Sequence, residues 1–580
     1  VPLSPIPGFV SGSYNSRARG ASACRTINLR VEKNEDPNSK SPATMFPRSG
    51  RKHFATLPPG PIIGMWANKN NVFVVSGGVV YKLNEDATFS THGSVASDGT
   101  PATMRANGNQ LLICSAGNVY IDTGVAIFQP IISFASGNVD VAGTAVTWVA
   151  GDKFTGTGGD IKAGDLFMLQ PNLYVVAGVV DDQHLVLDRD AGILSNYSYQ
   201  AGAERLKGVM PEFIDGYFIV SVPMDKIFRI SNLFDGSTWS ALDFQKKSGS
   251  ADNIAAINNF SGQLAIFGDT NSTELWADSG NQDFPFQRVS GQSLNVGTAA
   301  PWSVAKLTDG SLCWLLYSGA GEDQVVQSTG GEPVRISDHA LENAMRTYST
   351  VADAVASTYT ENGHEFYRLD FPRANRTWEW DKSVRLWVEL GISTPQDEVY
   401  GAEPGRFRVH VTWPSGARMD LAGDYASGTV WQVSPDFLDD DGVDFPVMRI
   451  APHINTNLER MNCPAFALDC ELGTIDPNVK GADGKELIPT VSLFYSNDGA
   501  RNWIDAGVAS LGRVGEYEGT VLTQAEKFDA GPNSQTNPQV FEPRPYWRGL
   551  GSFWVSRTYK IKSSGRMLRA VYNGLAEISK

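Results

Sequence analysis

The chain has 580 residues, of which 42% are hydrophobic and 19% charged, the balance of an ordinary folded globular protein rather than a disordered one. Its formal net charge is −15, opposite in sign to that of most free DNA-binding proteins. No apolar run approaches the roughly 18 residues that would span a bilayer, and nothing in Val1-Pro2-Leu3-Ser4-Pro5 resembles a secretory leader.

In chain order, strand–turn–strand units recur. Val72–Val75, Gly77-Gly78 and Val79–Leu83 form the first. Leu111–Cys114, Ala116-Gly117-Asn118 and Val119–Ile121 form the second. Residues 125–205 then break the series. Within them Leu166–Leu169, Leu173–Val176, Val179–Asp182 and Gln183–Leu187 alternate as four short strands and predict an inserted small SH3-like barrel. The series resumes with Phe213–Ile230, Leu264–Trp276 and Leu307–Leu315. Ser337 is placed to cap a short helix through Ala340, Leu341, Ala344, Met345 and Tyr348, whose spacing of three and four suits a cover over a sheet edge.

The clearest unit is 351–391. Tyr367, Leu369 and Phe371 share one face of a strand, with Arg368 and Asp370 on the other. Trp378 and Trp380 flank Glu379, and Leu386, Val388 and Leu390 form a third row. Phe407–Val411 leading to Thr429–Trp431 makes a seventh unit. Repeats of about 40–50 residues with aromatic strands and Gly- or Asn-rich turns are propeller blades. Beyond residue 440 the strands lengthen (Val447–Ile450, Val491–Tyr495, Phe553–Ile561, Met567–Tyr572), as expected for a closing β region, with 526–541 read as a loop. The reading is all-β: segment 1–124 carries the N-terminus and first blades, 125–205 the barrel, 206–440 the remaining blades and 441–580 the C-terminal β region.

There is no G-x-S-x-G elbow, no phosphate loop and no H-E-x-x-H. The five cysteines lack C-x-x-C spacing; Cys114 and Cys313 read as core thiols, and Cys463 with Cys470 makes a poor zinc site. His364 beside Glu365 reads as a turn-side hydrogen bond. Asp439-Asp440-Asp441-Gly442 reads as a solvated turn without the further ligands of a calcium loop. Ser496-Asn497-Asp498-Gly499-Ala500-Arg501-Asn502-Trp503 is close to the Asp-box of sialidase propellers, and a single copy reads as a hairpin turn. No catalytic, cofactor or metal residue is assigned.

Charge is uneven. Residues 541–580 hold eight basic residues against Glu542 and Glu577, a local +6 that leaves −21 on the remainder. Arg544, Arg548 and Arg566 are the candidate partner-binding residues; edge protection of a strand by cations is the competing explanation.

The string Asp353-Ala354-Val355-Ala356, Tyr359, Gly363-His364-Glu365-Phe366-Tyr367, Phe371-Pro372, Thr377-Trp378, Asp381 and Leu386-Trp387 resembles the packaged-DNA stabilisation, head-completion or nozzle proteins of short-tailed bacteriophages. Arg25-Thr26-Ile27-Asn28-Leu29 with Glu32, and Leu57-Pro58-Pro59-Gly60-Pro61 with Gly64-Met65, resemble that family's opening. The resemblance implies a propeller of six blades and a virion tail protein assembled in the host cytoplasm. It implies a homohexamer below the portal and adaptor proteins that carries the tail needle, fibres or spikes. Double-stranded DNA would pass without sequence preference, and no membrane anchor or cofactor is implied. The alternatives are a sialidase-like enzyme, which would need converging carboxylates and arginines, and a receptor-binding tail protein, which would favour a trimer.

Overall fold

The computed structural model describes residues 2–58, 60–68, 70–156, 160–317, 323–392, 400–456, 458–472, 489–511 and 544–579. The loop expected at 526–541 lies outside them.

Seven antiparallel sheets, most of four strands, form a closed ring. The first two blades span Ile62–Asn68 to Phe89–Ser94 and Thr103–Ala106 to Ile127–Phe128. The third and fourth span Val209–Ile214 to Phe244–Lys246 and Ile254–Phe260 to Phe286–Leu294. The fifth runs from Gly297–Thr298 to Val334–Arg335 and the sixth from Val355–Glu361 to Leu386–Leu390. The seventh contains Gly405–Thr412, Arg418–Asp424 and Thr429–Ser434 and borrows its outer strand, Gly50–Thr56, from near the N-terminus. Innermost strands neighbour one another around the ring, and Gly405–Thr412 returns to Ile62–Asn68. The all-β propeller reading holds, and its blade number is corrected from six to seven. The seventh unit completes the ring because a polar segment, Gly50-Arg51-Lys52-His53, supplies its missing edge.

Apolar wedges hold most blades together. Ile63, Val75, Val80, Met104 and Ile113 join the first two. Ile219, Phe228, Ile257, Ile266 and Trp276 join the third and fourth. Leu421, Val430, Ile62 and Val74 join the seventh to the first. Between the fifth and sixth lie Leu315, Val325, Leu369, Trp378, Trp380 and Trp387, with Leu341 and Met345 of the helix. That helix is His339–Met345, and its cap is Asp338, whose carboxylate accepts from the Leu341 N–H at 2.8 Å; Ser337, the cap expected from sequence, instead donates to Glu342 at 2.7 Å. No apolar cluster among the described residues spans the sixth and seventh blades. Charged side chains fill that junction.

The insertion is a closed barrel of six strands. Two long strands, Ile131–Ala142 and Ile193–Arg205, pair with each other; of the short strands expected from sequence, Leu173–Val176 lies within Asn172–Val179, whereas residues 180–182 are a turn and not a strand. Its core holds Val139, Phe154, Phe167, Val176 and Tyr199, with Phe167 stacked on Tyr199 at 4.9 Å between centroids. At its base Ile131, Ile132 and Met168 join Val119, Phe218 and Trp239 of the neighbouring blades in one cluster.

The C-terminal β region is a sandwich in which the N-terminus takes part. One sheet contains Leu29–Lys33, Ala43–Pro47, Met461–Cys470 and Val571–Ser579. The other contains Pro446–Ile450, Thr490–Ser496, Ile504–Ser510 and Ser556–Ser564, and continues through Ala23–Ile27 into the sixth blade. Residues 23–47 thus sit in the sandwich, apart from the first blades. The strand boundaries also move: Met567 stands in a turn, and Ser552–Phe553 is a separate short strand. Leu29, Met45, Phe466, Leu493, Tyr559 and Val571 fill the sandwich interior.

Candidate functional site at the propeller–sandwich junction

Alternation puts Tyr367, Leu369, Trp378 and Trp380 on the apolar side of the sixth blade, so Arg368, Asp370 and Glu379 face the other way. That other face is not wet. Arg368 is 6% exposed, Asp370 1% and Glu379 0%. Arg368 grips Asp370 through two bonds of 3.0 and 2.8 Å and also binds Glu403. Arg51, from the borrowed strand, binds the same Glu403 and lies 3.1 Å from Asp440. Arg48 holds Asp440 at 3.1 and 2.7 Å. Arg30, from the sandwich, binds Glu379 at 2.7 Å, the Tyr359 hydroxyl at 2.7 Å, and Glu361. Arg408 of the seventh blade binds Glu361 at 2.6 Å and Asp420 at 2.8 Å.

Buried ions stabilise only when fully paired and hydrogen-bonded. Here burial alone would raise the carboxyl pKa values, but the arginines overcome it: Arg30 and Arg408 bring Glu361 down to about 2, and Arg368, Arg51 and Arg48 do the same for Glu403. A general acid needs a carboxyl raised toward neutrality. Glu361 and Glu403 are held in the ionised form, so the cluster reads as a tie between sixth blade, seventh blade and sandwich.

A cleft of about 570 Å³ opens beside it, lined by Arg30, Glu32, Arg48, Glu361, His364 and Arg569 among others. His364 Nδ1 lies 2.6 Å from Asp381 on the adjacent strand, the bond expected of it. Asp439-Asp440-Asp441 departs from the expected solvated turn: Asp440 is buried between Arg48 and Arg51, and Asp439 binds Arg566. The near-Asp-box is a hairpin turn. Ser496 donates to Asp498 at 2.7 Å, and Asp498 accepts from the Arg501 and Asn502 N–H groups at 3.0 Å, bonds that lower its pKa, the Asn502 N–H most of all. Trp503 lies under the Lys560 ammonium at 4.2 Å.

The three candidate arginines are not brought together. Arg566 is committed within the chain to Asp439 and Asp444. Arg544 is exposed, with Asp469 at 3.9 Å. Arg548 is exposed and lies over the Tyr546 ring at 5.1 Å. Much of the basic segment turns inward: Arg557 is 1% exposed and Lys560 2%. All five cysteines are buried and unbridged. No group of three metal-ligating side chains occurs, and no helix is long and apolar enough to cross a membrane, among the described residues.

Residues 179–430, from the last barrel strands into the seventh blade, match the phage-stabilisation family model described as bacteriophage P22 Gp10, β-propeller. Over that span, a little under half of the chain, the protein is similar to the phage-stabilisation propellers. The resemblance carried by the 351–391 string is confirmed over that span, and it supports a structural protein over a catalytic one. No curated protein matches the chain. Among solved structures, the N-terminal domain of Nup159 is 8% identical with a TM-score of 0.35, covering 71% of this chain and 98% of that one. The WD40 propeller of Doa1 is 13% identical with a TM-score of 0.31, over 67% and 97%. Saccharomyces cerevisiae Sqt1 is 9% identical with a TM-score of 0.30, over 67% and 100%.

Sequence reasoning missed Arg30, Arg48, Arg51 and Glu403. One signal was present: Arg368, Asp370 and Glu379 on strands whose other face carries Trp, with no Lys among them, fits a buried ionic face better than a solvated one, because arginine is the cation of buried pairs.

Proposed function

We propose that the protein is a structural virion component of a bacteriophage tail, a hub or nozzle subunit. It completes the head–tail junction, extends the DNA channel, helps retain the packaged genome and anchors a needle, fibres or spikes. The family match over 179–430 is the observation that carries this reading. Assembly in the host cytoplasm into a homohexamer below the portal and adaptor goes with it.

The charge supports it. Six copies would total about −90, and acidic walls repel phosphate, so duplex DNA slides without sticking. The DNA path would be the axis between subunits, not the hole of one propeller. Exposed Arg544 and Arg548 would face a protein partner.

Purified protein, imaged on grids and added to DNA-filled heads that lack it, tests the reading. The expected result is a six-fold ring and genomes that become nuclease-resistant. A monomer that leaves the heads leaking overturns it.

A further inference from the structure

Two adjoining cavities lie in the hole of the propeller. One compartment, about 460 Å³, is lined by Arg105, Glu212, Asn258, Asn259, Lys306, Ser357, Thr358 and Arg408, with Met65, Val304, Ala356 and Phe407 at its floor. The other, about 170 Å³, shares that floor and adds Trp66, Met210, Trp302 and Val355. A charged mouth therefore leads onto a throat walled by Met, Trp, Val and Phe side chains beside Arg105 and Asn258, each lined from several different blades. The first volume lies within the ordinary range for small-ligand sites.

The mouth favours an anion. Arg105, Lys306 and Arg408 face a single carboxylate, Glu212. Glu212 is already satisfied by Arg105 at 2.8 Å and by the Asn259 and Phe213 N–H groups at 3.0 and 3.2 Å. Glu361, shared with Arg30, and Asp420 pair with Arg408 and balance its charge, which leaves Lys306 as the cation that gives the mouth its preference. Lys306 has no carboxylate partner among the described residues, and its side chain is exposed to the mouth. Two buried donors that line this compartment, Arg408 Nε and Ser357 Oγ, have no hydrogen-bond partner. Unmade bonds of buried donors are costly, and an acceptor supplied from outside would remove the cost.

We propose that this cavity binds a peptide that presents a carboxylate beside a bulky apolar side chain, such as a chain terminus of a partner protein. The carboxylate accepts from Lys306, Arg408 Nε and Ser357 Oγ. The apolar group enters the throat against Met65, Met210, Trp302 and Phe407. Capture of a terminal carboxylate by converging donors is a recurring mode of peptide recognition. The inference stands on the cavity alone and does not depend on the tail assignment.

The test uses the full chain and acetyl-glycyl-phenylalanine, with its C-terminal amide and inorganic phosphate as comparisons. Binding is read by ligand-observed NMR and by the fluorescence of Trp302 and Trp66. The acid should bind about tenfold more tightly than the amide, the size expected for one charge-assisted hydrogen bond. Lys306→Glu should remove that difference and leave the thermal midpoint unchanged, since Lys306 is exposed. Trp302→Phe should remove most of the fluorescence change and leave the NMR binding signal. Equal binding of acid and amide, binding indifferent to Lys306→Glu, or no binding at millimolar peptide overturns the proposal. Phosphate displacing the peptide at equal concentration also overturns it, because the throat would then contribute nothing.

Discussion

Arg30, on a strand near the N-terminus, donates through Nε to Oε1 of Glu379 in the sixth blade at 2.7 Å, and Glu379 has no solvent exposure. The pair joins sandwich to propeller through charge, where the other blade junctions use aliphatic and aromatic wedges. Removing one partner of a buried pair strands the other, which costs about 3–5 kcal/mol. Arg30→Leu should therefore lower the unfolding free energy by about that amount. Urea denaturation followed by far-UV circular dichroism measures it, and a loss below about 1 kcal/mol, the range of exposed pairs, would refute the tie.

Acid should loosen the same junction. Glu361 and Glu403 are held at about 2 in the folded protein, below their ordinary value. A depressed carboxyl contributes stability that is complete above the unfolded pKa, about 4.3, and is lost as pH falls toward the folded value. The thermal midpoint should thus drop between about pH 4.5 and pH 2. Glu361→Gln should flatten part of that slope and lower the midpoint at neutral pH. Calorimetry across the pH series decides it; an unchanged slope in the variant would contradict the assignment.

Trp380 is 2% exposed and Trp387 2%, with Trp387 Nε1 donating to the Ile336 carbonyl at 2.8 Å. Trp380→Ala should cost about 3–5 kcal/mol. In the native protein neither ring should be open to a soluble quencher. Quenching measured in variants that retain each tryptophan in turn checks this, and ready quenching of either would count against the packing.

Much of this was legible in the residues. Period-two alternation located the strands of most blades, and the 351–391 string pointed to the family that residues 179–430 match. The seventh blade's outer strand was not legible, because Gly50-Arg51-Lys52-His53 has no apolar alternation and pairs with residues 429–434 from the far end of the ring. The ionic cluster was not legible either. Its members include Arg30, Arg48, Arg51, Glu361, Arg368, Asp370, Glu379, Glu403, Arg408 and Asp440, and only the fold brings most of them within bonding distance. An isolated acidic turn such as Asp439–Asp441 looks solvated until the arginines that bury it are known.

The barrel carries a second expectation. Its core of Val139, Phe154, Phe167 and Tyr199 is its own, but Ile131, Ile132 and Met168 pack on the blades. Residues 131–206 expressed alone should give dispersed amide NMR spectra, with Met168→Ser improving solubility. A random-coil spectrum would show that the blades are needed to fold it.

Docking through the basic segment separates into two measurements. Arg566→Ser should destabilise the free protein, because Asp439 and Asp444 lose their cation. Arg544→Ser with Arg548→Ser should leave stability unchanged, slow attachment to DNA-filled heads, and reduce the salt dependence of the rate. Wild-type attachment rates at every salt concentration would leave these two arginines as strand-edge protection.

The borrowed strand Gly50–Thr56 also sets a timetable. A ribosome makes it before any blade exists, and its partner Thr429–Ser434 is made only when the last blade appears. At about 5–20 residues per second, the early strand waits on the order of tens of seconds with its edge unpaired. During that interval Arg51 and Lys52 keep the waiting edge charged, which discourages pairing with a neighbouring nascent chain. Propeller closure is thus a late event in synthesis, and pausing translation before codon 429 should yield chains whose N-terminal segment is open to protease.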